Sequence, residues 1–311
     1  MKKISLIFTS ILVLGLTAGT AFAQGGEDAL PFLRIDRNPV SSAMAGAGSA
    51  STSGIAYSAF RNASVIPFFE KNVDLGLSVQ GWAPKGTKST NLNFGAGWKI
   101  TPSVGVALSF ANQWGQKYDV YNYRGVKTGT FTPKDMIIGA GAGVKLAENI
   151  GLGANIRYAR QTLAQGISYS SVGGDVLLYY RPMDCLGLTA GARSFGSGVE
   201  DSAGNKFDIP ASAHAAGEYS VKFGNSAVRT DLDLDYYFSG NFCGALGVEY
   251  GINDTFFARA GYHLGADEAV LPSYASVGAG VKIPGVRFDF AYLTANDFIG
   301  NSFTIGFSVS F

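Results

Sequence analysis

This 311-residue chain is predicted to fold as an all-β transmembrane antiparallel barrel of about fourteen strands, with a short N-terminal hatch that plugs it. Three observations predict this. Charge is scarce, apolar residues alternate with period two from residue 72 to the end, and no stretch after residue 24 stays apolar for the ~18 residues a spanning helix needs. Only 15% of residues are charged while 47% are hydrophobic and 42 are glycine. A soluble domain carries about a quarter charged residues, so this chain has too little polar surface for water. Lipid offers no partner to backbone N–H and C=O groups, so a membrane protein without spanning helices must close its sheet into a barrel.

The N-terminus sets the compartment. Lys2 and Lys3 precede the apolar run from Ile4 to Leu16, and Ala21-Phe22-Ala23 supplies the small residues of a secretory cleavage site. The expected organisation is a signal peptide over 1–23, a hatch over 24–71 and the barrel over 72–311. The formal net charge of +1, without basic stripes, argues against nucleic acid as a partner. Cys185 and Cys243 fall at opposite ends of the expected barrel and lack metal-ligand spacing.

The last segment shows the alternation most plainly. Phe303, Ile305, Phe307, Val309 and Phe311 share one face, and Ser302, Thr304, Gly306, Ser308 and Ser310 share the other. A terminal Phe closing such a strand resembles the assembly signal of outer-membrane proteins, and implies a Gram-negative outer membrane with both termini periplasmic and outer-membrane lipid around the wall. Strands are expected near 72–83, 89–100, 102–113, 134–146, 149–161, 168–181, 185–196, 209–222, 226–238, 241–251, 254–264, 271–283, 285–294 and 300–311. An even count returns both barrel ends to one side, where the connections are short; those on the other side are mostly longer. Among the latter, 114–133 carries Tyr118, Tyr121, Tyr123 and Arg124 and is the expected extracellular contact loop.

The face opposite the apolar one is the lumen. It receives Arg157, Arg193, Glu218, Arg229, Asp231, Asp233, Asp235, Arg259, Arg287 and Asp289, a charge network of both signs. A lysine or arginine facing lipid at the midplane would cost about 2–4 kcal/mol, which compels the inward placement. Asp231, Asp233 and Asp235 read either as a cation site or as partners in interior ion pairs, and the balanced charge favours pairing. His214 and His263 stand alone, so no catalytic constellation, metal site or cofactor is expected and the chain reads as a non-enzyme.

Residues 25–71 lack strand alternation. They contain Phe32-Leu33-Arg34-Ile35, the small-residue run Ser41-Ser42-Ala43-Met44-Ala45-Gly46-Ala47, then Ala56-Tyr57 and Asn62-Ala63-Ser64. This segment resembles the PorV/PorQ family, whose build is similar to the FadL-type transporters; Met44-Ala45-Gly46 and Asn62-Ala63-Ser64 depart from its usual Met-Gly-Gly and Asn-Pro-Ala. The resemblance implies a hatch, a fourteen-stranded barrel and a protein partner or exported cargo, with secretion-system subunits of type IX secretion as partners. The competing expectation is a FadL-like passive transporter of a hydrophobic small molecule, with an apolar pocket beside the hatch and a lateral opening at a kinked strand. Phe32, Leu33, Ile66, Phe68 and Phe69 either line such a pocket or pack the hatch against the wall. Glycine interrupts many strands, so the sequence singles out no kink.

Overall fold

In the computed structural model, which describes residues 28–83, 88–201, 203–265, 271–294 and 300–311, the alternation becomes a closed wall. The expected signal peptide, and most of the loops expected at 84–88, 265–270 and 295–299, lie outside the described residues. In chain order the strands are β1 (Val73–Trp82), β2 (Ser89–Thr101), β3 (Val104–Trp114), β4 (Tyr118–Tyr121), β5 (Lys127–Phe131), β6 (Lys134–Ala147), β7 (Ile150–Ala164), β8 (Ile167–Met183) and β9 (Leu186–Gly196). They continue as β10 (Val199–Glu200), β11 (Lys206–Phe207), β12 (Ser212–Phe223), β13 (Ser226–Tyr237), β14 (Phe242–Ile252), β15 (Phe256–Leu264), β16 (Tyr274–Ile283), β17 (Val286–Leu293) and β18 (Ser302–Ser310).

Fourteen of these form the barrel, all antiparallel, and β1 closes it by pairing with β18 from Asp74↔Ser310 to Gly81↔Phe303. Closure leaves no sheet edge exposed. Among the described residues no helix is long and apolar enough to cross a membrane. Each expected strand is present, with ends moved by local chemistry. β12 starts at Ser212 and β16 at Tyr274 because Pro210 and Pro272 have no N–H to give a ladder. β15 starts at Phe256 because Asn253 and Asp254 turn through left-handed φ of 55° and 51°. The 114–133 connection is more than a loop: it folds into the separate hairpin β4–β5, while β10 pairs with β11.

One rim carries short turns, such as Gly224-Asn225 between the paired Phe223 and Ser226. The other carries the long connections. Outward positions hold the aliphatic and aromatic residues, and inward positions hold small or polar ones.

Residues 28–71 lie inside the barrel as short helical turns, Pro31–Arg34, Pro39–Ser42 and Ala63–Phe68, joined by extended chain. The wall accommodates them through its inward glycines. A Cβ at Gly153 of β7 would collide with Ser64 N, and one at Gly143 of β6 with Ala63 O. Much of the glycine in the sequence therefore serves close approach between segment and wall.

Candidate functional site

Wall side chains hold the inner segment by its backbone. The Asp74 carboxylate accepts from Ile55 N (2.7 Å) and Ala56 N (2.9 Å), and Asp233 accepts from Gly48 N (2.8 Å). Arg157 donates to Phe60 O (3.0 Å) and Ser276 to Ala43 O (2.9 Å). Buried backbone groups without a strand partner need such bonds, so the lumen's polar residues and the segment's irregular course explain each other.

The expected charge network separates into three groups. Glu249 is a hub that meets Arg259 Nε (2.6 Å), Arg287 Nη2 (3.3 Å) and Arg229 Nη2 (3.4 Å), while Asp289 pairs with Arg259 (2.9 Å) and Arg287 (3.0 Å). Asp231 meets Arg229 (3.1 Å), with Glu218 farther from the same guanidinium at 3.9 Å. Asp235 accepts from Ser212 (2.9 Å), lies 3.0 Å from His214 Nδ1 and 3.9 Å from Arg193. Arg157 stands apart, paired with Asp175 at 2.5 Å and bonded to Ser194 Oγ at 2.9 Å. Asp231, Asp233 and Asp235 thus each face a cationic or protonatable side chain. Among the described residues no group of three or more His, Cys, Asp or Glu is placed to hold a metal ion.

Arg61 belongs to the inner segment and takes part in this wall chemistry. Its guanidinium pairs with Asp36 (3.1 Å) and Asp233 (3.3 Å) and donates to Gly46 O (2.9 Å) and Ser49 Oγ (3.2 Å). On either side of it lies a cavity. One opens toward the long-loop rim and the other toward the short-turn rim; Arg61 lines both. The inner segment also passes between the cavities through a turn in which Ala45, Gly46 and Gly48 take φ of 56°, 96° and 122°. The long-loop cavity mixes apolar walls (Leu33, Ile35, Phe60, Trp82, Leu293) with charged ones (Arg34, Asp36, Arg37, Arg61, Arg193, Asp233, Asp235) and with Ser212, Tyr237 and His263.

That cavity reaches a break in the wall. Between the pairs Gly174↔Phe195 and Val176↔Ala192, β8 contributes Asp175 alone while β9 contributes Arg193 and Ser194, so β9 bulges. Ser194 takes a left-handed φ of 53°, and its N–H donates to Asp175 at 2.7 Å, which holds the bulge in place. On its other edge β9 pairs with β12 only as far as Arg193↔Ser212, eight pairs against the twelve between β12 and β13. Pro210 comes two residues before the end of that ladder and has no N–H to extend it. Arg193, Ser194, Pro210 and Ser212 all line the long-loop cavity.

The five apolar residues expected beside the hatch divide. Leu33 lines the long-loop cavity and Phe32 is buried in the adjoining core, but Ile66, Phe68 and Phe69 line neither large cavity. Ile66 lies against Gly105, and Phe68 packs edge-on to Tyr179 with ring centroids 4.8 Å apart. Tyr118, Tyr121, Tyr123 and Arg124 lie on or beside the β4–β5 hairpin, where Tyr118 donates to Leu163 O (3.0 Å) and Arg124 covers the Tyr123 ring. Sequence reasoning missed Asp36, Arg37 and Arg61, because the inner segment has no periodicity to say which way its charges point. It also missed the β9 bulge, because the left-handed position is filled by serine among many glycines.

Solved structures share this architecture. Over 88% of this chain and 98% of that one, the Ralstonia pickettii toluene transporter TbuX superposes with a TM-score of 0.63 at 14% identity. The fold is that of FadL-family outer-membrane barrels. The CymD monoaromatic hydrocarbon channel gives a TM-score of 0.64 at 15% identity over 89% of this chain and 98% of that one. A Pseudomonas aeruginosa FadL homologue gives 0.59 at 12% identity over 88% and 98%. No protein-family profile and no curated protein sequence matches the chain.

Proposed function

We propose that this protein is a passive outer-membrane channel for small hydrophobic molecules, oriented with its short turns in the periplasm. The observation that carries the reading is the coincidence of cavity and break: the mixed long-loop cavity runs to the bulge of β9, where the ladder to β12 stops. A hydrophobic solute gains nothing by crossing the charged Arg61 layer, whereas a gap in the wall lets it pass from the cavity into lipid. In this scheme residues 28–71 are the hatch that closes the axial path. Transport of toluene and monoaromatic hydrocarbons by the similar barrels supports the same class of solute.

The PorV/PorQ reading, with a protein partner or exported cargo, has the β4–β5 hairpin in its favour, since Tyr123 is 89% and Tyr121 58% exposed. The comparisons weigh toward the channel. Uptake of labelled toluene by cells expressing the protein separates the two. The channel reading expects uptake above that of cells lacking it, undiminished when the hairpin 118–131 is replaced by a short turn. No uptake by a correctly assembled barrel overturns it.

A further inference from the structure

The outward wall of the barrel is almost free of charge, and its exceptions stand together. Along the fourteen barrel strands the outward positions contain no Asp or Glu and only two basic residues, Lys134 of β6 and Arg160 of β7. The two strands are neighbours. Their register sets Lys134 opposite Thr162 and Met136 opposite Arg160, so Lys134 and Arg160 are diagonal neighbours on one face. Both are exposed and both sit at the long-loop end of their strands.

The surroundings are polar in a wall that is otherwise apolar. Ser168 lies opposite Thr162, Ser170 lies opposite Arg160, and Arg160 Nη2 donates to Ser168 Oγ at 3.4 Å. Trp114 lies opposite Lys134 on the outward face, and Tyr158 is one outward position below Arg160. Such aromatics mark the level of the lipid headgroups, so the two cations stand where hydrocarbon gives way to polar lipid. No carboxylate on the outward face offsets them: Asp135 points into the lumen, and Asp119 pairs with Lys127 at 2.8 Å. Above the patch, the bond from Tyr118 to Leu163 O leans the β4–β5 hairpin over the β7–β8 connection.

We infer that Lys134, Arg160 and the hydroxyls of Thr162, Ser168 and Ser170 form a binding site for the phosphate of a phosphorylated glycolipid in the outer leaflet. An ammonium and a guanidinium at diagonal positions converge on one phosphate, with hydroxyl donors at its edge. Flanking outward residues such as Ile138 and Ile156 take the acyl chains. This site rests on the orientation proposed above but not on hydrocarbon transport.

Native mass spectrometry of the full chain in mild detergent, with bisphosphorylated lipid A as the probe, tests it. The expected result is one retained lipid A on the wild-type protein, with affinity falling roughly tenfold or more in K134Q/R160Q. The opposite-rim variant K222Q binds like wild type, and lipid A stripped of phosphate does not distinguish the proteins. Heat-modified gel mobility confirms that each variant is a folded barrel. Equal retention by wild type and a folded K134Q/R160Q, or a preference of this patch for phosphatidylglycerol over lipid A, overturns the proposal. Toluene uptake is unchanged in K134Q/R160Q, so failure of the lipid site and failure of the channel reading are told apart.

Discussion

Deleting Ser194 is expected to abolish uptake of small hydrocarbons while leaving the barrel assembled. β9 spends two residues, Arg193 and Ser194, against the single Asp175 of β8, and the left-handed backbone of Ser194 absorbs the extra length. Removing it sets Arg193 directly opposite Asp175 and restores a regular ladder. Arg193 stays inward and Phe195 outward, so no side chain changes face. The straightened β9 brings Phe195 level with Ala211, so the ladder can extend up to Pro210 and narrow the opening that the long-loop cavity reaches. Uptake measured beside wild type, with heat-modifiability as the check on assembly, should drop to the level of cells lacking the protein. A Ser194 deletion that assembles and still admits toluene would place the route elsewhere in the wall.

The second large effect concerns the axial path. Arg61→Ala should turn a barrel that is silent to ions into one that conducts them. Arg61 lines both cavities and bridges Asp36 on the inner segment to Asp233 on the wall. Its side chain is 11% and that of Asp233 6% exposed. Taking one partner from a pair buried to this degree costs about 3–5 kcal/mol, because the charge left behind keeps its desolvation without its counter-ion. Asp36 and Asp233, which line the same cavity, then lose the cation they share, and water and cations enter to screen them. In planar bilayers the wild-type protein should show no unitary steps and the R61A variant discrete ones, reduced again when Asp36→Asn and Asp233→Asn are added. A folded R61A that stays silent would show that other parts of the inner segment seal the lumen unaided.

What was legible in the sequence follows from what period two encodes. Alternation identifies each barrel strand and the inward side of every charge within it, because one reversed residue would put Asp231 or Arg259 into lipid. It does not reveal pairing partners. Glu249 and Asp175 are ordinary inward carboxylates in sequence, and only the register makes one a hub for three arginines and the other the brace of a bulge. The inner segment was readable by composition but not by direction. Its small residues announced close packing, which the wall glycines answer, yet nothing in Arg61 itself separated it from a solvated cation. Apolar character alone left Phe68 and Phe69 between lining a pocket and packing the hatch; the structure sets Phe68 against Tyr179 of β8 and Phe69 in a cluster with Ala107 of β3, away from the long-loop cavity.

Trp82 offers the most direct test of the central claim, that the long-loop cavity holds a small hydrophobic solute on its way through the wall. It is buried and lines that cavity, while Trp98 and Trp114 lie on the outward face. In a W98F/W114F variant all tryptophan emission comes from Trp82, and titration with toluene reads occupancy of the cavity. The expected result is a saturable change in emission, absent from a W82F/W114F variant in which Trp98 reports only partition into detergent. A Trp82 signal that changes linearly, in step with Trp98, would mean that the cavity takes no solute and would contradict the channel reading.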